Sequence, residues 1–132
     1  MFCIIQYNII YIIQSIIKGT KLDKIEILSE VEQFEWDTEK EKINKKKHNI
    51  TFENAVSVFC DPYAVTQYDA EHSFDEDRYN VIGCSGKGSV VILTVICTLR
   101  DNEKTCRIIS ARRATKKEES TYYDSYKKNR HF

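Results

Sequence analysis

The spacing of apolar and polar positions divides the chain into segments of different period. Residues 1–17 form an Ile-rich apolar run interrupted by Gln6, Asn8, Gln14 and Ser15. A bilayer asks for about 20 mostly apolar residues, so this run makes a poor transmembrane helix. It also lacks the leading cations and small-residue cleavage site of a secretory signal. Residues 20–33 read as a charged linker or short helix. Every strongly periodic element follows Gln33. The expectation is therefore a leader over residues 1–33 outside the fold and one domain over residues 34–132. The leader's Ile, Asn and Tyr content suits AT-rich DNA translated from a start codon set too early, or a dispensable extension, with a weak membrane anchor as the alternative.

Phe34 to Asp37 predicts a short aromatic strand. Asp37 or Thr38 then caps a helix with Glu39 and Glu41 in its first turn and Lys45, Lys46 and Lys47 in its last, both suited to the helix dipole. Asn49 stands where a left-handed residue closes that helix after His48. A second helix starts from Thr51, with Phe52, Ala55, Val56 and Phe59 at i, i+3, i+4 and i+7, and stops before Pro62. Four strand segments follow: YAVTQYD, RYNVIGC, VVILTVICTL and KTCRIIS, with SGKGS and RDNE as turns. The third is apolar on both faces, as a central covered strand is. From Ala111 the residues become helix formers, with Ala114, Glu118, Tyr122 and Tyr126 four apart. The order predicts an α+β domain: a small antiparallel sheet with two N-terminal helices and one C-terminal helix.

Composition narrows the functional classes. The net charge of zero argues against an indiscriminate polyanion binder, yet the charges are blocked. Residues 40–48 carry five lysines against Glu41, residues 104–117 carry six cations and no acid, and residues 61–77 carry six acids and no Lys or Arg. The five cysteines are odd in number and lack CxxC spacing, which points to a reducing cytosol. His48, His72 and His131 are far from the cysteines and from one another in sequence, so no metal and no cofactor are expected. GKGS at 86–89 joins two strands and lacks the GxxxxGK[ST] spacing of a phosphate loop.

Two groups of residues invite chemistry. Lys40, Asn44, Lys47 and His48 share one face of the first helix, with Ile43 elsewhere. Such faces are commonly just solvated, but this one can also meet an anion beside an imidazole able to exchange protons near neutral pH. Arg107 lies on the last strand, and Arg112 and Arg113 lie at the strand-to-helix corner. Strict alternation puts Arg107 and Arg112 on opposite sheet faces unless the strand ends by Ser110. Arginines opening a helix oppose its dipole, and a bound phosphate would relieve them. Structural roles compete: Arg78 can pair with acids of the 69–77 stretch, and Glu118 with a corner arginine.

In combination, FEWDTEKEKINKKKHNITFENAVSVFCDP, EDRYNVIG and RIISARRATKKEESTYY resemble the BrnT family of bacterial type II toxins, over about residues 34–123. Trp36, Asp37, Lys40, Asn44, Lys47 and His48 meet a W-D-x-x-K-x-x-x-N-x-x-K-H pattern, followed by Phe52, Ala55, Asp61 and Pro62. Asp77, Arg78, Ile82 and Gly83 match the next block, and Arg107, Ile109, Ser110, Ala111, Arg112, Ala114, Glu118 and Tyr122 the last. Asn49 replaces the usual Gly after the His, and the 33-residue leader has no counterpart. The resemblance implies a RelE-like fold, RNA cleavage that blocks translation in the cytoplasm, and a BrnA-like antitoxin that reaches operator DNA through its own DNA-binding domain. Metal-independent attack of a ribose 2′-OH on the adjacent phosphate needs an acid or base and a cation. His48 then serves as the former and Arg107 and Arg112 as transition-state clamps, with Lys40, Lys47, Arg78, Arg113 and Tyr122 holding RNA. The competing class is a non-catalytic nucleic-acid or protein-binding module, which shifts RNA on a gel without shortening it.

Overall fold

A computed structural model describes residues 2–6, 31–86 and 91–130 of the chain. Its elements are β1 (Phe2–Gln6), β2 (Gln33–Asp37), α1 (Thr38–His48), α2 (Phe52–Val56), a 3-10 turn (Ser57–Cys60), β3 (Val65–Tyr68), β4 (Arg78–Ser85), β5 (Val91–Arg100), β6 (Thr105–Arg113) and α3 (Lys116–Asn129). The strands form a six-stranded sheet in the order β1-β2-β6-β5-β4-β3. The α+β class is as the sequence predicts. The sheet is antiparallel except where β2 runs parallel to β6, from Gln33 facing Thr105 to Glu35 facing Arg107.

The helix boundaries follow their caps. The Asp37 carboxylate accepts from the N–H groups of Glu39 and Lys40, and Asn49, at φ 58°, closes α1 with its N–H on the Lys45 carbonyl. Thr51 caps α2 through the Asn54 N–H. The expected second helix is one short α-turn continued as 3-10, ending ahead of Pro62. The β5–β6 turn puts Asp101, Asn102 and Glu103 at positive φ, and in the β4–β5 hairpin Ser85 faces Val91. Residues 87–90, which include most of GKGS, lie outside the described residues.

The sheet has two covered faces. On one, α1 and α2 close over Phe34, Trp36, Val81, Val95, Cys97 and Ile108, with Phe52, Ala55 and Val58 fully buried against them. Each large apolar side chain taken out of water there contributes about 1.5–3 kcal/mol. On the other face, Tyr122 of α3 packs with Ile82 and Ile92, flanked by Tyr63 and Tyr126. Gly83 lets the 3-10 turn lie on β4, because a Cβ there would stand 2.8 Å from a Val58 methyl.

Three expectations change. Phe2–Gln6, read as part of a leader outside the fold, pairs antiparallel with β2, and Val31 is buried in the core. A β-branched run supplies the edge strand that β2 would otherwise lack. Residues 7–30, on which the anchor and misplaced-start readings also bear, lie outside the described residues. Second, β6 does not end by Ser110: the ten-residue β5 offers ladder partners as far as Arg113, which faces Leu93. Arg112 and Arg113 therefore belong to the strand, and α3 starts at Lys116 behind a Thr115–Glu118 capping box.

Third, alternation along β6 is broken. Ile96 faces Ser110 while Cys97 faces Ile108, leaving Ile109 as an extra residue in β6. This bulge shifts the parity of everything beyond it. Arg107 faces Thr98 and Arg112 faces Thr94, two positions an even number apart on β5, so both arginines lie on the α3 face. Arg113 is turned to the α1 face.

Candidate functional site

At the carboxyl end of α1 two hollows open against β6. The larger, about 220 Å³, is bounded by Lys40, Asn44, Lys47 and His48 of α1, with Ile43, and by Ile109 and Ser110 at the bulge. The smaller, about 150 Å³, is bounded by His48, Asn49, Asn54, Ser85 and Arg113 over Ile50, Val91 and Leu93. His48 is common to both. It is the last helical residue, half-buried, and the left-handed turn at Asn49 carries the chain around it. The polar face of α1 thus borders a groove. Ile43, expected elsewhere, shares the larger hollow, although it is 67% exposed.

Arg113 is exposed, and among the described residues no carboxylate pairs with its guanidinium. Lys40 and Lys47, which border the larger hollow, are exposed. Two neutral participants escaped the sequence reading: Asn54, whose N–H serves the α2 cap, and Ser85, whose strand pattern carried no sign of a site.

The remaining candidates stand on the α3 face. Arg112 donates to both oxygens of Glu118, at 2.6 and 3.1 Å. Burial raises the Glu118 carboxyl pKa, but hydrogen bonds from Arg112 and the Thr115 N–H outweigh it and hold the group at about 2. The same pairing raises the Arg112 pKa. Arg107 Nη1 lies 3.4 Å from Glu35 Oε1. Tyr122 is buried, and its hydroxyl donates to Asp61 Oδ2 at 2.6 Å, an oxygen that also accepts the Cys84 N–H. Burial and that carboxylate push the phenol up, and the bond ties α3 to the Asp61 turn. Arg78 faces Thr98, which faces Arg107, so the three make a row across the sheet. The Arg78 Nε is buried without a partner among the described residues.

The expected catalytic trio is therefore divided. Neither Arg107 nor Arg112 borders either of these two hollows, whereas Arg113, expected only to hold RNA, borders the smaller one. The bulge at Ile109 sends Arg112 to the α3 face and Arg113 to the α1 face, while Arg107, which precedes it, stands on the α3 face in either case.

The Arg112–Glu118 pair has a measurable consequence. Because the Glu118 pKa is depressed on folding, its contribution is present above the ordinary value of 4.5 and is lost as pH falls towards about 2. Glu118→Gln should destabilise at pH 7 by about 1–3 kcal/mol, discounted for partial exposure. In urea unfolding, the gap between parent and variant should close as pH falls from about 4.5 to about 2.5.

Among the described residues, no three His, Cys, Asp or Glu side chains group as a metal site, and no helix is long and apolar enough to cross a membrane. A family model described as a ribonuclease toxin, BrnT, of type II toxin-antitoxin systems matches residues 36–118. No curated protein matches the chain.

Proposed function

The chain belongs to the BrnT family of ribonuclease toxins of type II toxin-antitoxin systems, and on that premise we propose that the groove between α1 and β6 is where RNA is cut. The observation that carries this reading is the place of His48, an imidazole on the rim shared by two hollows, with Arg113, a cation that has no carboxylate partner among the described residues, bordering one of them.

The reaction is transesterification. His48 takes the proton of a ribose 2′-OH while water protonates the departing 5′-oxygen, or gives its proton to that oxygen while water takes the 2′-OH proton; in either case the 2′-oxygen bonds to phosphorus and the P–O5′ bond breaks. A 2′,3′-cyclic phosphate and a 5′-hydroxyl result. Arg113 meets the charge that grows on the phosphorane, and Lys47 and Lys40 hold the neighbouring phosphates along α1. In the cell, cleavage blocks translation in the cytoplasm. A BrnA-like antitoxin covers the groove, and operator DNA is reached only through the antitoxin's DNA-binding part.

A second reading places the phosphate on the α3 face, between Arg78, Arg107 and Arg112. The Arg78 Nε, buried without a partner among the described residues, favours it. It lacks an imidazole, and Arg107 and Arg112 already hold carboxylates. Arg78→Ala decides: on the first reading it leaves the cleavage rate within about threefold of the parent.

Cleavage should persist in excess EDTA and yield ends carrying a cyclic phosphate. Loss of cutting on chelation with recovery in Mg²⁺ would count against the mechanism, and RNA retarded on a gel but not shortened would make the protein a binder.

A further inference from the structure

The ladder between β2 and β6 stops at Glu35 facing Arg107, yet β6 runs on to Arg113. Beyond that point its open edge needs partners. One side chain supplies them. Asn44, 7% exposed, donates from Nδ2 to the Ala111 carbonyl at 2.8 Å and accepts the Ala111 N–H on Oδ1 at 3.2 Å, as a neighbouring strand would. Its second amide hydrogen reaches the Ile50 carbonyl at 3.3 Å, and Oδ1 also accepts the Ser110 hydroxyl at 3.2 Å. Both donors and both acceptor sites of the amide are thus used.

The three places it holds are the bulged edge of β6, the chain just past His48, and α1 itself. His48 lies one helical turn beyond Asn44, and Arg113 lies two residues beyond Ala111 on the same sheet face. We propose that Asn44 is the positioning residue of the cleavage site, fixing the imidazole of His48 relative to the guanidinium of Arg113. The proposal rests on the groove as the place of cleavage. Asn44 touches no phosphate in this scheme; its amide is wholly engaged inside the protein. An error of about 1 Å between acid–base group and cation costs on the order of 100-fold in rate, so the effect should fall on kcat and leave KM to the lysines.

Asn44→Asp tests this in the full chain. Its carboxylate keeps the acceptors for Ala111 N–H and Ser110 O–H but faces the Ala111 and Ile50 carbonyls where donors stood. Burial favours the neutral acid, which restores one donor. The titratable and charged groups on the elements packed around it include Lys40, Glu41, Lys47 and His48 on α1, the Glu41 carboxylate accepting the Phe52 N–H near Ile50, and Arg113 on β6. These are present in parent and variant alike, so the ratio of the two rates isolates position 44. At pH 8 the variant should melt cooperatively, exchange the Ala111 amide proton faster than the parent, and show kcat lower by about 100-fold with KM within about threefold. Lowering the pH to 5 should bring the kcat ratio to within about tenfold.

A parental kcat, a loss expressed in KM alone, or a ratio flat with pH would each overturn the proposal. So would a variant still unfolded at pH 5, since the neutral acid is isosteric with the amide. A His48→Ala control separates the two readings: if it cuts at the parental rate the groove is not the site, and Ala111 exchange still reports whether Asn44 holds the strand.

Discussion

His48→Ala is expected to slow RNA cleavage by about 100- to 10,000-fold, the range that one positioned acid or base supplies. The fold should survive the change. His48 is half-buried at the last position of α1, and its side chain has no hydrogen bond or ion pair among the described residues. The helix loses at most a cation at its negative end, worth about 0.3–1 kcal/mol. Single-turnover cleavage and an unfolding curve on the same preparation check both halves. A variant inactive only because it no longer melts cooperatively would return His48 to a structural role.

Arg113→Ala carries the second large expectation, a loss of about 100- to 1,000-fold in kcat, by analogy with removing one preorganised donor from a developing oxyanion. Its neighbour provides the contrast. Arg113 is exposed and has no carboxylate partner among the described residues, so its removal orphans no buried charge. Arg112→Ala would strip Glu118 of its guanidinium and leave a half-buried carboxylate. Arg113→Ala should therefore cost activity without stability, and Arg112→Ala about 1–3 kcal/mol of stability with cleavage by the folded fraction little changed. Equal melting points with equal activities would contradict the division of labour between these adjacent residues.

The chain announced its helices through local chemistry. Asp37, Thr51 and Asn49 act within three or four residues of themselves, so the ends of α1 and the start of α2 could be read directly. The central position of β5 followed from its apolar faces, and both hairpins from their turn residues. What escaped depended on distant partners. A bulge is a mismatch between two strands, and nothing in RIISARR marks Ile109 as the extra residue; the mismatch appears only against Ile96 and Cys97. That one residue decides which arginines share a face: the sequence joined His48 to Arg107 and Arg112, whereas the hollow that His48 borders is bordered by Arg113. Asn44 failed similarly. On a helical wheel it stands with Lys40, Lys47 and His48, yet its partners on β6 lie 66 and 67 residues away. The parallel pairing of β2 with β6 and the addition of Phe2–Gln6 are also long-range choices.

The central claim is that His48 and Arg113 act together on one phosphate. Its most direct test is a double-mutant cycle of single-turnover RNA cleavage with His48→Ala, Arg113→Ala and the pair. Groups that act as a unit lose little more when both are gone than when one is. The account predicts a double variant within about tenfold of the slower single variant; losses that simply multiply would show that the two residues serve separate sites.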